Sequence, residues 1–168
     1  MYQILTDIKM LDRFDLEAEE VVTSGYQGSW VTISGGKAVL SSAANGEKLA
    51  YPVWTEEYRD GTQGFSPDTA QTSKVTCVSG KHRAYTDRFD HTSKPDVGDY
   101  LYAGVGTTAV IGSDDATGSA INGMLMKNSN GIDSDGVLPV AVCKKAPFLY
   151  TPVHGGTARY VIEIQVLY

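Results

Sequence analysis

Only two cysteines, Cys77 and Cys143, occur in the 168 residues. That is too few for a disulfide-stapled framework. Each lies in an apolar, strand-like stretch, so two buried free thiols are expected in preference to a bridge. Histidine is scarce as well. His82, His91 and His154 show no ligand spacing, and a tetrahedral zinc site needs three or four convergent nitrogen or sulfur donors. No cofactor or metal site is expected. Long hydrophobic runs are missing: the longest, Val137 to Cys143, is seven residues and contains Pro139. A membrane-spanning helix needs roughly 20 apolar residues. The first ten residues hold Asp7 and Lys9 and no apolar core, so no secretory signal is expected. There is no Asn-x-Ser/Thr acceptor site. An excess of positive charge is also missing. Lys and Arg number 14 against 20 Asp and Glu, a net charge of −6. Phosphate-neutralising nucleic-acid binders and polybasic membrane anchors need the opposite balance, so neither partner is expected.

Signatures of catalysis are absent too. There is no GxSxG elbow, Walker A loop, HExxH or GxGxxG. Gly35-Gly36-Lys37 and Gly80-Lys81 lack the spacing of a phosphate loop and read as turns. Asp133-Ser134-Asp135-Gly136 resembles half a calcium loop, but Gly131 stands at the first ligand position and no Glu closes it. It reads as an exposed turn, as does Asp114-Asp115. The histidines and Asp114-Asp115 are the only raw material for a small hydrolase, and no enzyme is expected.

What the chain does contain is glycine and tyrosine: 18 Gly and 10 Tyr against 4 Phe. This composition favours turns and half-buried aromatic faces over packed helices. Its hydrophobic period is two rather than 3.6. In Tyr160 to Tyr168, Ile162, Ile164 and Val166 point one way, and Glu163 and Gln165 the other. Residues 73–79 alternate similarly. Trp30 to Ser34, the Gly35-Gly36 turn and Lys37 to Leu40 predict a hairpin. Leu49 to Thr55 predicts a strand that Pro52 confines to a sheet edge or strand start. Shorter strands are expected at 82–86, 99–103, 107–112 and 137–143. The segment 12–22 is open between a helix and an extended arm, because Phe14, Leu16 and Ala18 alternate. A weak helical pattern spans 116–127, against Gly118 and Gly123. Residues 55–73 and 113–121 read as long polar loops. The expected fold is mostly β: an antiparallel sandwich or small barrel, with long polar loops, an N-terminal arm and little helix.

Charge is distributed unevenly. Residues 1–23 carry six acids against two bases, and residues 74–94 five bases against two acids. Residues 1–25 are therefore expected to form an acidic arm, and 26–168 the β-rich domain. The expected role of the arm is to dock its acids, Asp15, Glu17, Glu19 and Glu20, on the basic 74–94 band of a neighbouring subunit or another partner. Arg83, Asp87, Arg88 and Asp90 cluster within eight positions. They read either as an inter-subunit ion network or as a local turn in which Asp87 and Asp90 hold backbone N–H groups. Trp30 and Trp54 read as core residues ahead of interface anchors.

Three stretches together resemble a known family. They are Trp30-Val31-Thr32 with Leu49-Ala50-Tyr51-Pro52-Val53-Trp54-Thr55; Lys74 through Asp90, containing Arg83-Ala84-Tyr85-Thr86-Asp87-Arg88-Phe89-Asp90; and Val97-Gly98-Asp99-Tyr100-Leu101-Tyr102, followed by the closing strand 160–168. Their order is similar to that in capsid decoration, or cement, proteins of tailed bacteriophages. The 107–145 region is longer and richer in Gly than the family pattern. The resemblance implies a non-enzymatic virion protein on the capsid exterior, made in the host cytoplasm. Its implied partners are the major capsid protein and further copies of itself, commonly as a trimer. A phage tail, fibre or receptor-binding module that holds host glycan is the alternative, because Tyr, Trp and polar loops suit sugar stacking.

Overall fold

The computed structural model describes residues 2–6, 10–16, 28–42, 49–53, 74–107, 120–127, 138–151 and 158–168, with 10–16 and 74–76 described as backbone. Among these residues every regular element is a strand and none is a helix. Eleven strands occur in chain order: β1 Tyr2–Ile4, β2 Met10–Leu16, β3 Trp30–Ser34, β4 Lys37–Leu40, β5 Ala50–Pro52, β6 Lys74–Ser79, β7 Arg83–Thr86, β8 Tyr100–Thr107, β9 Ala120–Lys127, β10 Ala141–Tyr150 and β11 Arg159–Val166. They form a six-stranded sheet, β1-β7-β11-β10-β8-β9, and a five-stranded sheet, β5-β3-β4-β2-β6. All the strand pairings are antiparallel except β2 with β4. A bridge from Val53 to Cys77 links the two ends of the five-stranded order, so this sheet curls toward closure.

The expected alternation explains how the sheets pack. Trp30 and Val31 point to opposite faces of β3. Trp30 joins the main core between the sheets, with Tyr2, Ala50, Phe89, Leu101, Leu125, Ile162 and Ile164. Val31 joins Ala38, Val53 and Cys77 in a second cluster, with Ile33, Leu40 and Tyr51 against it. Trp30 is wholly buried, and its truncation to Ala would cost about 3–5 kcal/mol. Neither cysteine forms a disulfide, and both are buried. Burial pushes the Cys143 thiol up to about 11.

Several sequence expectations are resolved here. The hairpin at 30–40 pairs Val31 with Leu40 and Ser34 with Lys37, and its turn glycines have φ of 57° and 79°. Pro52 lies in the terminal strand of its sheet, where its missing N–H costs no ladder bond. Residues 12–16 of the helix-or-arm segment lie in β2, and 120–127 of the weak helical pattern form β9. In both, pairing with a neighbouring strand prevails over helix propensity. Strand β10 begins later than 137 and runs on to Tyr150, with bulges between Cys143 and Lys145 and between Lys145 and Phe148. Trp54, His154, residues 55–73, 108–119 and 128–137, and hence both acidic turns, lie outside the described residues.

The N-terminal segment expected to stand apart as an arm enters both sheets. β1 pairs with β7, matching Tyr2 with Thr86 and Ile4 with Ala84. β2 lies between β4 and β6. Its pairing with β6 runs from Met10 opposite Ser79 to Asp15 opposite Lys74, and Asp15 is also in register with Lys37 of β4. Residues 10–16 of the acidic segment therefore pair with the start of the basic band within one chain.

Candidate functional site

Strand β7 and the turn after it contain the residues singled out from the sequence. Alternation divides them. Ala84 and Thr86 are fully buried, whereas Arg83 and Tyr85 face away from the core. Opposite them on β11, Glu163 is in register with Tyr85 and Gln165 with Arg83. The Arg83 guanidinium forms an ion pair with Glu163. One turn further on, Asp87 accepts a hydrogen bond from Arg159 at 2.8 Å, and Arg88 lies 3.9 Å from Asp87. The carboxylate partners of Arg83 and Arg159 are thus in the same chain. Arg83 is half exposed, so its pair contributes only about 0–1 kcal/mol and acts mainly to orient side chains.

Asp90 has a different surrounding. It is 4% exposed. Its carboxylate accepts from the Ser93 hydroxyl at 2.5 Å, the Ser93 amide at 3.1 Å, the Thr92 amide at 3.3 Å, and the amide and hydroxyl of Thr107, both at 3.0 Å. Burial alone would raise its pKa, but the hydrogen bonds from Ser93 and Thr107 outweigh it and hold the carboxyl below its ordinary value. Asp90 therefore ties the 87–93 turn to the end of β8, which is the local-turn reading. The backbone seals the same junction: Asp90 N donates to Leu125 O at 2.7 Å and His91 N to Thr107 O at 3.0 Å. Gly106 allows this approach, since a Cβ there would lie 3.0 Å from Asp90 Cβ. Phe89 is buried and stacks on His91 at 4.1 Å. Burial lowers the His91 pKa, opposed by its hydrogen bond to the Asp87 backbone and by the Asp87 and Asp90 charges.

Around Tyr85 the outer face of the six-stranded sheet carries an aromatic cluster. Tyr85 meets Phe148 edge-on at 5.4 Å and Tyr150 at 5.7 Å. Lys145 Nζ sits 3.8 Å above the Phe148 ring, a cation–π geometry. The Tyr150 hydroxyl donates to Gln3 Oε1 at 2.9 Å. Val161, opposite Phe148 in register, is fully buried despite lying on this outer side. The result is a packed aromatic layer edged by Arg83, Lys145, Arg159, Asp87 and Glu163. Arg and aromatic side chains in this arrangement are the typical composition of binding hot spots. Glu163 was legible as a residue of the face opposite Ile162 and Ile164, but that face is not wet there, since Glu163 is only 9% exposed. Lys145, Phe148 and Tyr150 were not legible, because the two bulges break the alternation of β10.

Of the four acids, Asp15 occupies the register position between Lys37 and Lys74, and Glu17, Glu19 and Glu20 lie outside the described residues. Among the described residues, no group of three or more His, Cys, Asp or Glu could hold a metal ion. No helix among them is long and apolar enough to cross a membrane. No protein-family model, curated protein or solved structure matches this chain.

Proposed function

We propose that this chain is a non-enzymatic virion structural protein. In this reading it binds the outer surface of an assembled phage capsid and cements the major capsid protein subunits. The observation that carries the reading is the Tyr85–Phe148–Tyr150 cluster with its cationic edge of Arg83, Lys145 and Arg159. It is a preorganised surface: the rings brace one another and the ions are pinned by partners in the same chain, so little side-chain entropy is lost on contact. The family resemblance supports the same reading, because Arg83, Tyr85 and Asp87 of this face lie within its most specific stretch. Self-association as a trimer is part of the proposal. Several modest contacts made together give avidity that no single contact needs to supply.

The test is co-sedimentation with capsids prepared without this chain. The wild-type protein should pellet with them at micromolar concentration, and a Tyr85→Ala, Phe148→Ala double variant should remain in solution while still folded. A wild-type protein that stays in the supernatant removes the capsid reading. The alternative, host-glycan recognition by a tail or fibre module, would use the same rings. Hits on a glycan array, with the chain imaged at the tail, would replace the first reading by the second.

A further inference from the structure

Strand β1 is a three-residue strand at the edge of its sheet, too short to be held firmly by its ladder alone. Its strongest side-chain anchor is buried. The Tyr2 hydroxyl lies 2.6 Å from His82 Nε2, and His82 Nδ1 lies 2.7 Å from the Gly80 carbonyl oxygen. Both side chains are almost fully enclosed, at 3% and 2% exposure. A carbonyl oxygen can only accept, so Nδ1 carries the imidazole proton. Nε2 is then a bare lone pair, and the Tyr2 O–H donates to it.

A second proton can be taken only if this bond is undone or reversed, since the phenol now donates where Nε2 would itself become a donor. Protonation at Nε2 would set an N–H against the phenol hydrogen and force the hydroxyl to turn away. It would also place a charge in the core. The groups packed against His82 offer nothing to balance that charge. From β1 comes the neutral Tyr2 phenol. From β11, the Gln165 amide donates to the His82 carbonyl at 3.0 Å and the Val166 N–H at 2.8 Å. On its own segment, Lys81 is exposed, and Arg83 is turned outward to Glu163. Among the described residues no carboxylate is bonded to His82.

We propose that the Tyr2–His82 pair is a proton-operated latch: protonation of His82 breaks the bond to Tyr2 and detaches β1 from β7 before the rest of the fold opens. Withdrawal of Tyr2 admits water to the imidazolium; it gives up the core position of Tyr2, the short ladder, the Leu5 N to Arg83 O bond, 2.8 Å long, and the bonds that Gln3 and Thr6 accept from the Tyr150 hydroxyl and the Arg83 amide. It also bares the β7 edge beside Tyr85, where another strand can pair. Burial lowers the His82 pKa, partly offset by the Gly80 bond. The sign follows: the unfolded histidine binds protons more readily, so the latch is fully closed above about pH 6.5 and loosens as pH falls below it.

The experiment is amide hydrogen exchange of the full chain at pH 7 and pH 5, corrected for intrinsic rates. The Leu5 amide should lose at least tenfold protection at pH 5, while the Leu125 amide of β9 keeps its own. His82→Gln should abolish that difference. If this variant does not fold, Tyr2→Phe serves: it keeps the ring, and Leu5 should exchange fast at both pH values. The proposal is overturned if Leu5 and Leu125 lose protection together, if Leu5 does not respond to pH, or if either variant behaves as the wild type.

Discussion

Gly123 is where the two sheets meet, and its replacement by Ala is the sharpest test of the packing. Its φ is +78°, and a Cβ there would lie 2.9 Å from the Trp30 carbonyl oxygen, 3.0 Å from Leu40 Cδ2 and 3.2 Å from Trp30 N. The first and third of these are backbone atoms, which cannot rotate aside. Gly123 N also donates to Ser41 O at 2.7 Å, and Ser41 N to Trp30 O at 2.9 Å, so any retreat strains a chain of bonds between the sheets. Gly36 provides the control. Its φ is +79°, with nothing within 4 Å of the added atom. Ala in left-handed backbone costs about 1–2 kcal/mol, offset by about 0.4–1 kcal/mol of unfolded-state entropy. Gly36→Ala should therefore lose about 1 kcal/mol. Gly123→Ala bears the same backbone cost plus overpacking of about 1–3 kcal/mol. Its excess over the control should be about 2 kcal/mol. With a urea slope of about 2 kcal/mol/M, that excess displaces the midpoint by about 1 M. Tryptophan fluorescence during urea unfolding reads both variants. Equal midpoints would refute the claim that the sheets are in backbone contact at Gly123.

Two further outcomes follow from the structure. Asp90→Ala removes an acceptor of several buried hydrogen bonds and should cost about 3 kcal/mol. The depressed Asp90 pKa means its contribution is present above the ordinary carboxylate value, near 3.9, and is lost as pH falls through the lower folded value. The acid limb of the stability profile, followed by circular dichroism, should therefore be shallower in the variant. Removal of residues 1–20 should abolish the cooperative thermal transition, because it takes away Tyr2 from the core and the strand between β4 and β6. A truncated chain that melts like the full protein would restore a detachable arm.

How much was legible in advance depended on whether burial was local. Where one face of a strand is buried and the other wet, the alternation is written in the residues themselves. β11, β6 and the 30–40 hairpin were readable from alternation of residue type, although Trp30 with Val31, Cys77 with Val78, and Val161 through Ile164 are buried on both faces. β9 was not, since its segment reads equally as a weak helix and only pairing with β8 decides it. The second half of β10 was hidden by its bulges, which shift register without a sequence marker. The candidate site divides in the same way. Arg83, Asp87, Arg88 and Asp90 stood out as a local charge cluster, but their separation into an outward face and a buried tether needed the pairing of β7 with β11 and the closeness of Thr107.

By itself, then, the amino-acid sequence determined the class of fold, the buried, unbridged thiols, the core position of Trp30 and the opposed charges of two distant segments. Each of these follows from properties that residues carry with them: hydropathy period, side-chain size and formal charge. Tertiary structure decided what those segments do. The acidic N-terminal segment and the basic band pair within one chain because β2 is the strand that fills the gap between β4 and β6. Charge specifies attraction but not address. The address is set by which backbone edges remain unpaired once the core has formed.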